Sequence, residues 1–304
     1  MADSISFPSS ASAPPAAKLR ASTPERASLQ LVALGGAWRT LVALLLGIAA
    51  VNLPFSLVAT LLMTDPPVSP GMLVRSMLIF SVLPALAGRA VLRAFRADVS
   101  CANGAFRIER PGLAIDVPCA SIAEVVPWCI PAPGPGLSLG LASGARLPAG
   151  LRTDEPDAIL DLLARGGVDV TRARAHPTVV YARARAGRRH GALRHVVKFV
   201  LFGALPAAIF FNAHQHIAYG GSLGQYYLQG PGSYFETALI YWGLTAIFLV
   251  LYASVWRGLA EAAALAAAWL APTRASAVRR AAERACAWLY YGGVPLLVLY
   301  RFLP

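Results

Sequence analysis

Charge is scarce in this chain. Only 14% of its 304 residues are Asp, Glu, Lys or Arg, while 57% are hydrophobic and the mean hydropathy is +0.56. Ordinary soluble domains carry about 25% charged residues, so the shortage excludes a soluble two-domain protein and points to a chain solvated by lipid. Cysteine is scarce too: Cys101, Cys119, Cys129 and Cys286 show neither a close pair nor a zinc-type spacing. That pattern disfavours a metal knuckle or a redox dithiol and leaves buried, inert thiols as the expectation. No Ser-His-Asp set, paired carboxylates or metal quartet can be read, so no catalytic residue and no cofactor is expected. A secretory signal is also missing from the start of the sequence. Residues 1–30 are rich in Ser, Ala and Pro, with the apolar run beginning later, and are expected to stay on the chain as a disordered tail.

Long apolar runs are what the sequence has in quantity. Residues 41–63 contain no charge, and 23 residues at about 1.5 Å each exceed a hydrocarbon core of roughly 30 Å. Asp65, Pro66, Pro67 and Pro70 then force a turn, and residues 72–91 return. Together they make residues 31–93 a transmembrane hairpin. Residues 196–304 form a second membrane region, with spans expected at 196–213, 238–256 and 285–303, the last marginal because of Gly292, Gly293 and Pro295. Residues 259–283 begin as an alanine-rich run interrupted by Glu261 and read as an amphipathic helix lying at the interface. The expected fold class is therefore an α-helical membrane protein of four or five transmembrane helices with a small inserted α+β, barrel-like domain.

Orientation follows from the basic residues. Four precede the first span, none lies in the first turn, sixteen fall between Arg89 and Lys198, none between Asn212 and Thr237, and five between Arg257 and Arg284. Short cytoplasmic connections hold the positive charge. The alternation places the amino terminus and residues 94–195 in the cytoplasm of a multi-pass protein of the cell inner membrane. A reporter active only outside the cytoplasm is expected to be silent when fused at Ser143 and active at Gly221. Signal at Ser143 would overturn the topology.

The polar island changes period. Phe106 and Ile108 alternate with Arg107 and Glu109, Pro111-Gly112 turns the chain, and Leu113, Ile115 and Val117 alternate again, giving a hairpin. Residues 122–128 read as a further strand. After a proline-rich loop, Leu137, Leu139 and Leu141 lead to a Ser143-Gly144 turn. Thr153 or Asp154 caps a helix carrying Ile159, Leu160 and Leu163 on one face. This order of strands closed by one acidic-capped helix, over residues 97–170, resembles the bacterial pleckstrin-homology-like domains of multi-span membrane proteins. The resemblance implies a binding or scaffolding module without catalytic residues.

Residues 171–195 form a basic juxtamembrane linker. Arg183, Arg185, Arg188, Arg189, Arg194 and Lys198 read as the positive-inside determinant and, in a sharper version, as a grip on anionic lipid headgroups. Nucleic acid is excluded as a partner, because aromatic residues do not interleave with the run and it enters a span. His214 and His216 are weak metal candidates that read better as interfacial residues, since no Asp or Cys cluster completes a site. The outer connection, residues 218–236, gathers Tyr226, Tyr227, Tyr234 and Phe235 as an interface belt or a protein-partner loop. Asn52 lies inside the first span, and Pro54, Pro84, Pro206 and Pro295 lie inside others. They read as kinked packing or, alternatively, as broken helices around a substrate path. The functional expectation is a scaffold, regulatory protein or accessory subunit bound to the bilayer through its lipid and to a protein through the island or outer loop. The alternative is a small transporter or transporter subunit.

Overall fold

The computed structural model describes residues 29–63, 65, 68–186 and 192–302. The amino-terminal half runs β1 (Leu29–Gly35), α1 (Gly36–Leu62), α2 (Pro70–Ala94), β2 (Arg96–Ala102), β3 (Ala105–Arg110), β4 (Leu113–Pro118), β5 (Ile122–Pro127), β6 (Gly136–Leu141) and β7 (Ala149–Arg152). Then come α3 (Pro156–Arg165), α4 (Pro177–Ala186), α5 (Val197–Tyr219), α6 (Gly224–Leu270), α7 (Ala275–Tyr291) and α8 (Gly293–Phe302).

Among the described residues, four helices are long and apolar enough to cross a membrane: α1, α2, α5 and α6. The marginal fifth segment, 285–303, comprises the end of α7 and the 10-residue α8, which meet at Gly292 with helical backbone (φ −92°, ψ −42°). The expected interfacial helix at 259–283 is corrected. Residues 259–270 continue α6, whose Ala260, Ala264 and Ala268 are buried. Its small side chains admit close packing of Tyr181 from α4 and Ala275 from α7, so protein covers the alanine face. The outer connection is likewise mostly helical. Gly220, at φ 74°, closes α5 with its N–H on the His216 carbonyl, and α6 starts four residues later with a break at Gly230 before Pro231.

The seven strands form one curled antiparallel sheet in the order β4-β3-β2-β1-β7-β6-β5, a half-barrel whose edge strands β4 and β5 are not paired with each other. Strand β1 corrects two boundaries. Residues 29–35 belong neither to a tail nor to the transmembrane hairpin but to the middle of the sheet, with Leu29 opposite Val99 and Val32 opposite both Arg96 and Arg152. The hairpin α1–α2 is therefore an insertion between the first and second strands. Residues 1–28 of the expected tail lie outside the described residues. Leu137, Leu139, Leu151 and Phe106 are fully buried beneath α3, which adds Ile159, Leu160 and Leu163 at its 3.6-residue period. Pro156 occupies the first turn of α3. The cap position is Glu155, not the expected Thr153 or Asp154; its N–H donates to Thr153 Oγ1 at 3.1 Å, so Thr153 supports the helix entry through a turn two residues ahead of the cap.

The sheet is bolted to the first span through Trp128. Its indole is buried and donates from Nε1 to Ser138 Oγ at 3.0 Å, while the Arg39 guanidinium stacks 3.9 Å from a ring centroid. Gly136 and Gly150 lie under the ring: a Cβ at either would stand 2.6 or 2.7 Å from indole carbons.

Within the membrane hairpin, Asn52 is satisfied by the return helix. Its Nδ2 donates to Ser81 Oγ at 2.9 Å and to the Ser76 carbonyl at 3.3 Å, and its Oδ1 accepts from Ser76 Oγ at 3.3 Å. Asn52→Leu is expected to cost about 1 kcal/mol, the usual size of such interhelical bonds, seen as a lower thermal unfolding midpoint of the purified chain. An unchanged midpoint would show that Asn52 does not hold the hairpin.

Candidate functional site

Helices α6 and α7 run antiparallel from the turn at Pro272–Arg274. Between them and the sheet lies a cleft of about 690 Å³. Its α6 wall passes from Val250 and Ala253 through Ser254 to Arg257 and Glu261; its α7 wall passes from Tyr290 and Cys286 to Glu283 and Arg279. Both walls change from apolar to charged towards the same end. Leu53 of α1 and Phe199 of α5 add apolar surface, while Arg185 of α4 and Asp154 beyond β7 add charge.

The floor at the charged end is an ion lattice. Arg279 presents a fork to Glu261, NH1 to Oε2 at 2.9 Å and NH2 to Oε1 at 3.0 Å, and its Nε donates to Glu283 Oε1 at 2.9 Å. The planar guanidinium suits this bidentate geometry, which a lysine could not reproduce. Hydrogen bonding to Glu261 raises the Arg279 pKa against the opposing effect of burial. Tyr181 donates its hydroxyl to Glu261 Oε2 at 2.6 Å, and burial, with that bond, pushes the phenol up to about 12, so the donor proton stays in place at physiological pH. The chain of contacts continues into the sheet domain. Arg183 on α4 donates to Asp157 on α3 from Nε and NH2, and Arg174 pairs with Asp161.

These contacts sort the expected lipid-binding arginines. The partly exposed Arg183 guanidinium is engaged by Asp157, which raises its pKa, and so it serves the α3–α4 contact. Arg185, two residues on, borders the cleft and has no ion pair among the described residues. Arg188 and Arg189 lie outside the described residues, and Arg194 falls in the helical turn Ala192–Val196. Lys198 stands at the start of α5 with its ammonium 4.2 Å from the Tyr290 ring centroid, and it lines the cleft.

Lys198 also lies in a five-residue π turn, Val197–Leu201. Wide turns of this kind leave carbonyls without their usual helical donors. Tyr290 Oη donates to the Lys198 carbonyl at 2.9 Å and Trp242 Nε1 to the Val200 carbonyl at 3.0 Å, joining α5 to α7 and α6.

His214 lies between Tyr219 and Tyr241, with ring centroids 5.9 and 5.3 Å away, whereas His216 faces Ser222 Oγ at 3.4 Å. The two imidazoles thus face separate partners. Among the described residues, no three His, Cys, Asp or Glu side chains gather as a metal group. The turn between α5 and α6 instead carries a buried amide network that sequence reading missed. Gln215 donates to Gln225 Oε1 at 2.6 Å, and Gln225 reaches Ser233 Oγ and Thr237 Oγ1 at 3.0 and 2.9 Å. The sequence also hid a thiol pair. Cys101 and Cys119, 18 residues apart and so no pair by sequence spacing, bring their sulfurs to 3.5 Å beside Gly166. Burial and this neighbour push the Cys119 thiol up to about 11, which keeps it protonated and unreactive.

No protein-family model matches the chain, and no curated protein and no solved structure matches it. The class defined by its own architecture is a protein with four helices able to span a membrane and a curled seven-stranded antiparallel sheet whose first strand precedes the first span.

Proposed function

We propose that this protein is a membrane-resident binding protein of the scaffold or regulatory kind. In this reading a pleckstrin-homology-like domain in the cytoplasm is mounted on helices seated in the inner membrane. The single observation that carries the reading is the mounting itself. A free-standing domain on a flexible linker would need no contact with its anchor. Here the sheet is fixed by the β1 insertion, by Arg39 on Trp128, and by the run of contacts from Asp157 through Arg183 and Tyr181 to Glu261 and Arg279. Such a mount supports a role in which what binds the domain alters the helices, or the reverse. The shared sheet also supports the charge-derived orientation, because β1 before α1 and β2 after α2 must lie on one side. The transporter alternative gains nothing from Asn52, the polar residue it relied on, since that amide is occupied by Ser76 and Ser81.

The test is intact-complex mass measurement on the full chain extracted from its native membrane in mild detergent. A stoichiometric protein partner is expected, and Arg183→Glu, which breaks the mount at α3, is expected to weaken its retention. A bare chain that by itself drives solute flux in reconstituted vesicles would overturn the reading.

A further inference from the structure

From the polarity of its walls, we infer that the cleft between α6, α7 and the sheet is a binding site for an anionic amphiphile. Its charged group lies at Arg257 and Arg185, and its hydrocarbon lies along Val250, Ala253 and Phe199. The inference rests on the reading of the chain as a binding protein and assigns the ligand class. The argument begins with charge. The carboxylates at the cleft are already engaged: Glu261 and Glu283 by Arg279, and Asp154 by Arg152 with its NH2 at 3.6 Å. Two guanidiniums on the lining, Arg257 and Arg185, have no ion pair among the described residues. Arg279 and Arg152 bring two positive charges to these three carboxylates, so with Arg257 and Arg185 the charged end carries one net positive charge, complementary to a phosphate or carboxylate.

The other end excludes a purely water-soluble anion as the best fit. Val250 and Ala253 are on α6 within one of the four membrane-length helices, Leu53 is on another, and Phe199 supplies an aromatic face, with the Lys198 ammonium lying over the buried Tyr290 ring at this end. A ligand that filled only the charged end would leave this apolar surface to water, whereas an acyl chain would cover it. A volume of about 690 Å³ matches the sites that hold single small ligands, roughly 300 to 1,000 Å³, and fits a headgroup with the upper part of its chain. The ion lattice of Glu261, Arg279 and Glu283 forms the fixed side of this site, so the amphiphile bears on the same contacts that tie α4 to α6 and α7.

The test uses the full-length protein reconstituted in phosphatidylcholine vesicles. One arm contains a photoreactive phosphatidic acid and the other an equal fraction of photoreactive phosphatidylcholine; crosslinked peptides are mapped after irradiation. The anionic probe is expected to label segments 250–261 and 279–291 preferentially. Arg257→Glu with Arg185→Glu is expected to cut that labelling about fivefold or more, as losing one to two membrane-surface charge contacts implies. Arg146→Glu, on the exposed turn after β6, is expected to leave it unchanged. Ala253→Trp, which fills the apolar end, is expected to reduce it in protein that still elutes as a folded, monodisperse species. Equal labelling by both probes, or full labelling in the double arginine variant, would overturn the site. Displacement of the probe by excess inorganic phosphate would overturn the amphiphile and mark a site for a soluble anion. Loss of a protein partner plays no part in these readouts, so failure here is distinct from failure of the scaffold reading.

Discussion

Replacing Arg279 with methionine is expected to destabilise the purified protein by about 3 to 5 kcal/mol, the cost of leaving a buried charge without its partner. The arginine side chain is only 11% exposed and its Glu261 partner 25%, so solvent does little to screen the loss. Glu261 would keep one donor, the Tyr181 hydroxyl, where it now has three. The direction is set by this asymmetry more than by the strength of the pair. Removing both charges together, Arg279→Met with Glu261→Gln, is expected to recover part of the loss, because Glu261 no longer carries a charge without its partner and the Tyr181 hydroxyl still finds an acceptor, while Glu283 still loses its Arg279 donor. The measurement is the thermal unfolding midpoint of the full chain, single against double variant. A double variant as unstable as the single would show that packing of the arginine stem carries the effect.

Trp128→Ala is expected to cost a similar amount, about 3 to 5 kcal/mol, through the cavity left by a buried indole. Two further losses accompany the cavity: the Ser138 hydroxyl loses its donor, and Arg39 at the start of α1 loses the ring it stacks on. Gly150→Val approaches the same point from the other side. With a Cβ 2.7 Å from the indole, the ring must leave its place, and overpacking of this kind costs about 1 to 3 kcal/mol. If the ring is the bolt between sheet and span, both variants expose the β1–α1 junction to protease, while an equally destabilising core change such as Ile159→Ala leaves that junction protected until the sheet unfolds. Identical cleavage patterns in all three would reduce Trp128 to an ordinary core residue.

The spans were legible because hydrophobic length is a local property: residues 41–63 and 238–256 announce themselves within their own windows. The strands around Phe106 and Leu137 were legible for the same reason, through their period of two. What escaped depends on partners distant in the sequence. Leu29–Gly35 reads as the lead-in to an apolar run, because nothing polar separates it from α1 and its partners Val99 and Leu151 are some 70 and 120 residues away. The alanine-rich end of α6 looked fit for an interface only while Tyr181 and Ala275 were unknown neighbours. Glu261 read as an interruption of that run for the same reason, since its partner Arg279 lies on the next helix. Arg183 looked like its basic neighbours, and only the register of α3 distinguishes it, through Asp157. The period-two strands and the capped helix were legible over residues 97–170, but they held no information about the cleft, whose walls come mainly from the late helices.

The place of β1 has a consequence for biosynthesis. The strand leaves the ribosome before the hairpin it precedes, and the strands that flank it follow only after α2 is complete. Until then its backbone amides and carbonyls have no partners. The sheet can close only if both ends of the hairpin emerge on the same face of the membrane, since β1 cannot reach β2 across a bilayer. Closure of the sheet therefore depends on correct insertion: a chain whose first hairpin had entered and left on opposite faces would lack the middle strand of its domain.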